Sequence, residues 1–207
     1  MPYGYLGEQP KQSKANSGVF DTVDALNLQT NGEWGGSLEH IETLSPDGVN
    51  NITCSVLPTN YDILKVCWTV EVTTGTANVF RATFFESGVE ETGNVYHVAQ
   101  RRGTPGGTFG TDCSTSQVYV NLGNFNSPAK STGYAYFYNL SDNTRYSSMT
   151  YHSVSGTGAF YYGSGGLFQK SVVDQIKFTN SSAIPTFVSG SEIKIYGIKQ
   201  IWVMQDY

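Results

Sequence analysis

Residues 61–73, YDILKVCWTVEVT, alternate apolar and polar side chains with a period of two. The apolar positions are Leu64, Val66, Trp68, Val70 and Val72. Successive side chains of a β-strand point to opposite faces, so this segment predicts a strand with one face against a core. An amphipathic helix would instead repeat its apolar residues three and four positions apart. The alternation therefore requires a sheet at the centre of the fold.

The same pattern recurs along the chain from residue 37 onward. In VFRATFFES, Phe80, Ala82 and Phe84 share one face. GYAYFYNL and RYSSMTYHSV flank residues 141–144, which predict a four-residue hairpin loop. We count about ten or eleven short strands separated by turn residues, with no helical stretch between them. Residues 37–207 are therefore predicted to form a single all-β domain, an antiparallel sandwich or barrel.

Residues 1–36 form a separate N-terminal segment. Residues 1–19, MPYGYLGEQPKQSKANSGV, show no periodic apolar pattern and cannot bury much of themselves. One interpretation is a frayed terminus. The other is an extended arm that orders only against another subunit. The partner-binding anchors of such an arm would be Tyr3, Tyr5, Leu6 and Phe20.

Composition excludes several classes of function. Charged residues make up 14% of the chain and the net charge is −5, which argues against binding nucleic acid through its phosphates. The apolar runs are too short to insert into a membrane, and the N-terminus lacks the apolar core of a signal peptide. We therefore expect a chain that folds in the cytoplasm, with Cys54, Cys67 and Cys113 as free, mostly buried thiols. A bridge between Cys54 and Cys67 is the alternative.

No catalytic, metal or cofactor site stands out. Glu86, Glu90 and Glu91 lie at a strand end and in the following turn, where acidic residues commonly face solvent. The three histidines fall on different predicted strands, without the spacing of a metal site. We expect a protein that is not an enzyme and that binds neither a metal nor a cofactor. A depolymerising enzyme is the weakest hypothesis.

The tyrosines are the more informative residues. Tyr134, Tyr136 and Tyr138 alternate along one strand, and Tyr161 and Tyr162 follow on a later one. Such rings can be partly buried with only their hydroxyls reaching solvent. Tyrosine also anchors subunit contacts and packs against sugars. The candidate contact residues for a glycan or a subunit are Tyr134, Tyr136, Tyr161 and Tyr162.

Five segments of the chain resemble one group of proteins. They are GYLGEQP with SGVF, GEWGGSLEHIETLS, RATFFESGVEETGNVYHVAQ, GYAYFYNLSDNTRYSS and FVSGSEIKIYGIKQ. The chain resembles the small β-rich virion structural proteins of tailed phages that infect cyanobacteria and other aquatic bacteria. The last segment is similar to the C-terminal strand pair of jelly-roll-like domains in phage fibre and decoration proteins.

The resemblance implies a single antiparallel β-sandwich of the jelly-roll-like type. It also implies a non-enzymatic component of the particle surface that folds in the host cytoplasm before assembly. A capsid decoration protein, of the cement or head-fibre type, is slightly favoured over a tail fibre. The implied partners are copies of itself, with a trimer favoured, and other capsid or tail proteins. The alternative is a receptor-binding tail-fibre module that recognises a host surface glycan.

Overall fold

The structure is a computed structural model that describes residues 38–73, 78–125, 129–181 and 186–198. Thirteen strands lie in these ranges, and no part of them forms a helix. In chain order they are β1 (Leu38–Leu44), β2 (Asn51–Thr53), β3 (Ile63–Val70), β4 (Asn78–Glu86), β5 (Val89–Glu90), β6 (Tyr96–Gly103), β7 (Phe109–Gln117), β8 (Val120–Phe125), β9 (Ser131–Tyr138), β10 (Ser147–Val154), β11 (Phe160–Leu167), β12 (Gln175–Asn180) and β13 (Glu192–Ile198).

The strands form two antiparallel sheets packed as a sandwich, which confirms the predicted fold class. The large sheet has eight strands in the order β1-β13-β3-β9-β10-β11-β6-β7. The small sheet has the order β2-β12-β4-β5, and β8 pairs with the other end of β4. The number of strands exceeds the predicted ten or eleven because β2 and β5 have only three and two residues. Strands this short show no alternation in the sequence.

Phe80 on β4 lies at the centre of the core between the two sheets. Its ring centroid is 5.3 Å from that of Trp68 on β3 and 4.7 Å from that of Phe125 on β8. It also contacts Phe178 and Phe187, at 6.0 and 6.3 Å. Edge-to-face and offset ring pairs at these separations stabilise beyond the area that they bury. The aromatic cluster therefore joins the large sheet to the small one.

The alternation along β3 and β4 is confirmed. The core-facing residues of β3 are all buried, as are Phe80, Ala82 and Phe84 on β4. The opposite side chains of β3, including Lys65 and Cys67, are half-buried on the outer face of the large sheet. The large sheet therefore has one apolar inner face and one partly polar outer face, as antiparallel sheets often do.

The connection between β9 and β10 is longer than the predicted four-residue loop. Residues 139–146 lie outside both strands, and Asn139 adopts a left-handed φ of 60°. The Asp142 carboxylate accepts hydrogen bonds from the amide and the hydroxyl of Thr144, at 2.8 and 2.6 Å. A loop at 141–144 would place Tyr151 opposite Tyr134, whereas the observed register places His152 there. This shift by one residue exchanges the two faces of β10.

Gly133 on β9 allows Trp68 to lie flat against the neighbouring strand. The two residues are direct cross-strand partners. A Cβ added at Gly133 would lie 2.4 Å from Cζ2 of Trp68 and 2.6 Å from the carbonyl oxygen of His152. The indole therefore occupies the space where any other residue would place its side chain.

Several predictions fall outside the described residues. They are the arm itself and its anchors, Tyr3, Tyr5, Leu6 and Phe20.

The variant Gly133→Ala tests the packing of Trp68. We expect it to lower the free energy of unfolding by about 1–3 kcal/mol, because the new methyl group overpacks the indole. Chemical denaturation with tryptophan fluorescence measures this loss. The control is Gly106→Ala, where the nearest atom to the new Cβ is 4.0 Å away. Equal stability of both variants would contradict the proposed close packing.

Candidate functional site

The outer face of the large sheet carries a row of exposed aromatic side chains. Tyr134, His152 and Tyr162 are cross-strand neighbours on β9, β10 and β11. We call these three residues the aromatic ladder. They share this face because each is flanked by core-facing residues, such as Ala135 and Tyr151. The packing of the core therefore fixes which rings reach solvent.

The rings of the ladder contact one another. Tyr134 and His152 are stacked with centroids 5.5 Å apart and planes 5° apart. His152 and Tyr162 are 6.0 Å apart, with planes at 33°. Tyr134 and Tyr162 remain 39% and 40% exposed. Since neighbouring rings cover part of each other's faces, the ladder presents ring edges and hydroxyl groups to solvent.

An open hollow of about 610 Å³ lies at the ladder. Its lining residues are Trp68, Thr132, Gly133, Tyr134, His152, Ser153, Val154, Phe160, Tyr161 and Tyr162. Phe160 borders it with a side chain that is 57% exposed. Most of this lining is aromatic or aliphatic, with the Thr132 hydroxyl as one polar contribution. The hollow can accept a flat, amphipathic ligand.

The two remaining predicted contact tyrosines lie outside the ladder. Tyr136 lies on the outer face beside the ladder, 5.8 Å from Tyr134 between ring centroids, with the Lys65 ammonium 5.8 Å from its own ring. Tyr161 points the other way: it is 5% exposed and belongs to the core. The prediction that the Tyr161 ring is available for a glycan or subunit contact was wrong, because adjacent residues of a strand face opposite sides of the sheet and Tyr162 takes the outer one.

A second aromatic stack lies around β6 and the ends of β10 and β11. His97 stacks on Phe168 with centroids 3.7 Å apart, and Phe168 stacks on Tyr146 at 5.0 Å. The Lys170 ammonium is 6.0 Å from the Tyr146 ring. Sequence reasoning missed this stack and also missed His152 and Phe160. The alternation along β10 and β11 would have placed His152 and Phe160 on the outer face if the register of these strands had been known.

A smaller polar cleft of about 260 Å³ is lined by residues of β6, β7 and β11 in the large sheet and by residues of β4 and β8. Gln100, Arg102, Asp112 and Asn124 contribute its polar groups. The buried Tyr151 hydroxyl donates to Gln100 Oε1 at 2.6 Å, and Gln100 donates in turn to Asp112 at 3.1 Å. Gln100 and Asp112 therefore take part in a hydrogen-bond network that ties β10, β6 and β7 together.

The three carboxylates considered for catalysis each make hydrogen bonds within the fold. Glu86 accepts from Ser171, and Glu91 accepts from Gln169. Glu90 pairs with Lys177 at 2.8 Å and accepts from Thr83. Burial alone would raise the pKa of Glu90, but the Lys177 and Thr83 hydrogen bonds and the Lys177 charge outweigh it and lower this pKa. A general acid of a glycosidase needs the opposite shift.

The histidines occupy separate parts of the large sheet. His40 hydrogen-bonds Thr43 at 2.8 Å, while His97 and His152 lie in the two aromatic groups. Within the described ranges, no three His, Cys, Asp or Glu side chains cluster as a metal site would require. Nor does any helix there reach the length and apolarity of a membrane span.

All three cysteines are free, as predicted, and no bridge joins Cys54 to Cys67. Only Cys54 is buried, whereas Cys67 is half-buried and Cys113 is exposed. The expectation of mostly buried thiols was therefore wrong, because β7, which carries Cys113, lies at the edge of its sheet.

In comparisons with known proteins, no protein family, no curated protein and no solved structure matches this chain. The resemblance to phage virion proteins accordingly remains a prediction.

The cysteines should differ strongly in their reactivity. Burial raises the pKa of the Cys54 thiol to about 11, so little of the reactive thiolate forms at neutral pH. We expect an alkylating reagent to modify Cys113 in the native protein and Cys54 only after unfolding. Peptide mass spectrometry over a time course measures both rates. Equal rates in the native protein would contradict this placement.

Proposed function

We propose that this chain is a non-enzymatic structural component of a tailed-phage virion. The resemblance of five segments to small virion proteins supports this proposal. The antiparallel sandwich is also the fold that the resemblance implies. Capsid decoration is slightly favoured over a tail fibre, because the described strands form a sandwich and not an elongated shaft.

The chemistry of the outer face is the observation that carries the proposal. The face exposes the ladder together with Phe160, and it carries hydroxyl residues such as Thr132 and Thr150. Aromatic residues are enriched in the cores of protein interfaces, where charged residues are depleted. A surface of this kind suits a protein that packs against copies of itself and other particle proteins as a symmetric oligomer.

Residues 1–36 are the proposed docking segment. A segment that orders only on the particle would couple assembly to folding, because its ordering entropy is lost only at the moment of binding. The sandwich would then project outward with its aromatic face available.

Removal of residues 1–19 tests the docking role. We expect the shortened protein to fold and to keep its unfolding temperature, since the described strands begin at Leu38. It should be absent from purified particles of the phage that encodes it, whereas the full chain is incorporated. Quantitative mass spectrometry of the particles measures occupancy. Full occupancy by the shortened protein would exclude the arm as the docking segment.

A receptor-binding module for a host surface glycan is the second candidate. The hollow at the ladder favours it, because sugar rings pair apolar faces with hydroxyl groups. Phe160 offers an apolar side wall, and the tyrosine hydroxyls can donate and accept hydrogen bonds. Stacking between Tyr134 and His152 restricts a sugar to the ring edges and to the free face at either end of the ladder.

A glycan array with the purified protein tests this second candidate. We expect Tyr162→Ala to lose at least tenfold in signal on any glycan that the native protein binds, because the variant removes one wall of the hollow. Tyr146→Ala is the matched control, since Tyr146 is 46% exposed but lies in the other aromatic stack. No binding by the native protein, or equal losses in both variants, would count against a glycan site here.

A further inference from the structure

Among the strands that the structure describes, β7 forms the least protected edge of the sandwich. Other strands with one described partner are short or charged: β2 and β5 have three and two residues, and β1 carries Glu39, Glu42 and a register shift. β8 also has a single partner but is largely buried. β7 has nine residues, FGTDCSTSQ, with Asp112 as its one charge and no proline. Lysine, proline, short length and register shifts commonly block an edge, and residues 109–113 of β7 have none of them, since the register shift of β7 lies farther on, between Ser114 and Gln117.

Hydrogen bonding at the β6–β7 turn shows which backbone groups of β7 point outward. The Thr104 amide donates to the Thr108 carbonyl at 3.0 Å, so these two residues form a hydrogen-bonded pair. Such pairs alternate with non-hydrogen-bonded pairs along two antiparallel strands. The register pairs Gly103 with Phe109 next. The amides and carbonyls of Phe109, and of Thr111 and Cys113 after it, therefore point away from β6.

An independent hydrogen bond gives the same assignment. The Ser155 amide donates to the Ala159 carbonyl at 2.9 Å in the β10–β11 turn. Hydrogen-bonded and non-hydrogen-bonded pairs alternate along β10 and β11 from that pair onward. The backbone amide and carbonyl of Tyr162 therefore point toward β6. Its partner there is Arg101, whose own partner on β7 is Thr111. The hydrogen bonds in both turns therefore place the backbone amide and carbonyl of Thr111 at the free edge of β7.

These outward groups can pair with themselves in a second copy. In an antiparallel pair centred on Thr111, the two Thr111 residues face each other, and Phe109 faces Cys113 of the second copy. All three pairs would be hydrogen-bonded pairs with two bonds each. A pair centred on Asp112 would place two carboxylates directly opposite, which destabilises a sheet. A pair centred on Cys113 would need residues beyond the register shift between Ser114 and Gln117.

The side chains agree with pairing about Thr111. Phe109 is 70% exposed, and its ring lies over Gly103, where an added Cβ would approach the ring to 3.2 Å. Cys113 is exposed on the same face. In the proposed register, each Phe109 lies opposite the Cys113 of the second copy, on the outer face. Asp112 faces Gly110 of the second copy, so no like charges meet.

We propose that β7 is a dimerisation edge, through which two copies of this chain pair antiparallel about a two-fold axis at Thr111. The pairing joins the two large sheets into one continuous sheet. This inference does not rest on the virion role, because it needs only the exposed edge. It specifies a two-fold contact in place of the trimer that the resemblance implies.

The oligomeric state of the full chain tests the contact. We expect a dimer by sedimentation equilibrium, and at least a tenfold weaker association for Thr111→Lys, which places two like charges on the axis. Thr150→Lys is the control, since Thr150 is exposed on the same face but lies on β10, away from the edge. An unchanged unfolding temperature shows that the variants are folded. A monomeric or trimeric native protein, or a dimer unaffected by Thr111→Lys, would overturn the proposal.

Disulfide trapping tests the register. In a Cys113→Ser background, Thr111→Cys should form a linked dimer under mild oxidation, because residues that face each other in a hydrogen-bonded pair have Cα atoms about 5.5 Å apart. In the native protein, the two Cys113 residues would lie roughly 13 Å apart along the strands and should not link. Linking through native Cys113, but not through the thiol introduced by Thr111→Cys, would disprove pairing about Thr111.

Discussion

The contact between Phe80 and Trp68 holds the two sheets together. Phe80 belongs to the small sheet and Trp68 to the large one, and Phe125, Phe178 and Phe187 complete the cluster around Phe80. Burial of aromatic area dominates the stability of such a core. Trp68 reaches Phe80 while lying over Gly133, so the absence of a side chain on β9 is part of the same contact. The register of β3 against β9 follows from it.

That register also determines what the outer face displays. The core-facing row Trp68, Gly133, Ser153 and Tyr161 alternates with the ladder row of Tyr134, His152 and Tyr162. A shift by one residue on any of these strands would bury part of the ladder and expose part of the core. The exposed outer face and the core are therefore two results of one packing arrangement.

The sequence predicts the faces of β3 and β4 because their alternation is strict and local. It fails for Tyr161 and Tyr162, which are adjacent on a strand that continues as GSGGL and has no apolar pattern to distinguish its faces. It also fails for His152, whose position opposite Tyr134 depends on the eight-residue connection after β9. Strand order is equally inaccessible, since β13 lies between β1 and β3 only through pairings distant in the chain.

The ladder and the β7 edge lie on the same row of the outer face, with Arg101 between Tyr162 and Thr111. An antiparallel pair of identical strands has its two-fold axis perpendicular to the sheet, so pairing through β7 would direct both ladders to the same side. Seven strand spacings would separate the two His152 residues, roughly 34 Å in a flat sheet. Two weak sites that face one way bind a repetitive surface far more tightly than either site alone. A dimer of this kind would therefore suit a ligand that is presented in many copies, such as a capsid lattice or a cell-surface polysaccharide.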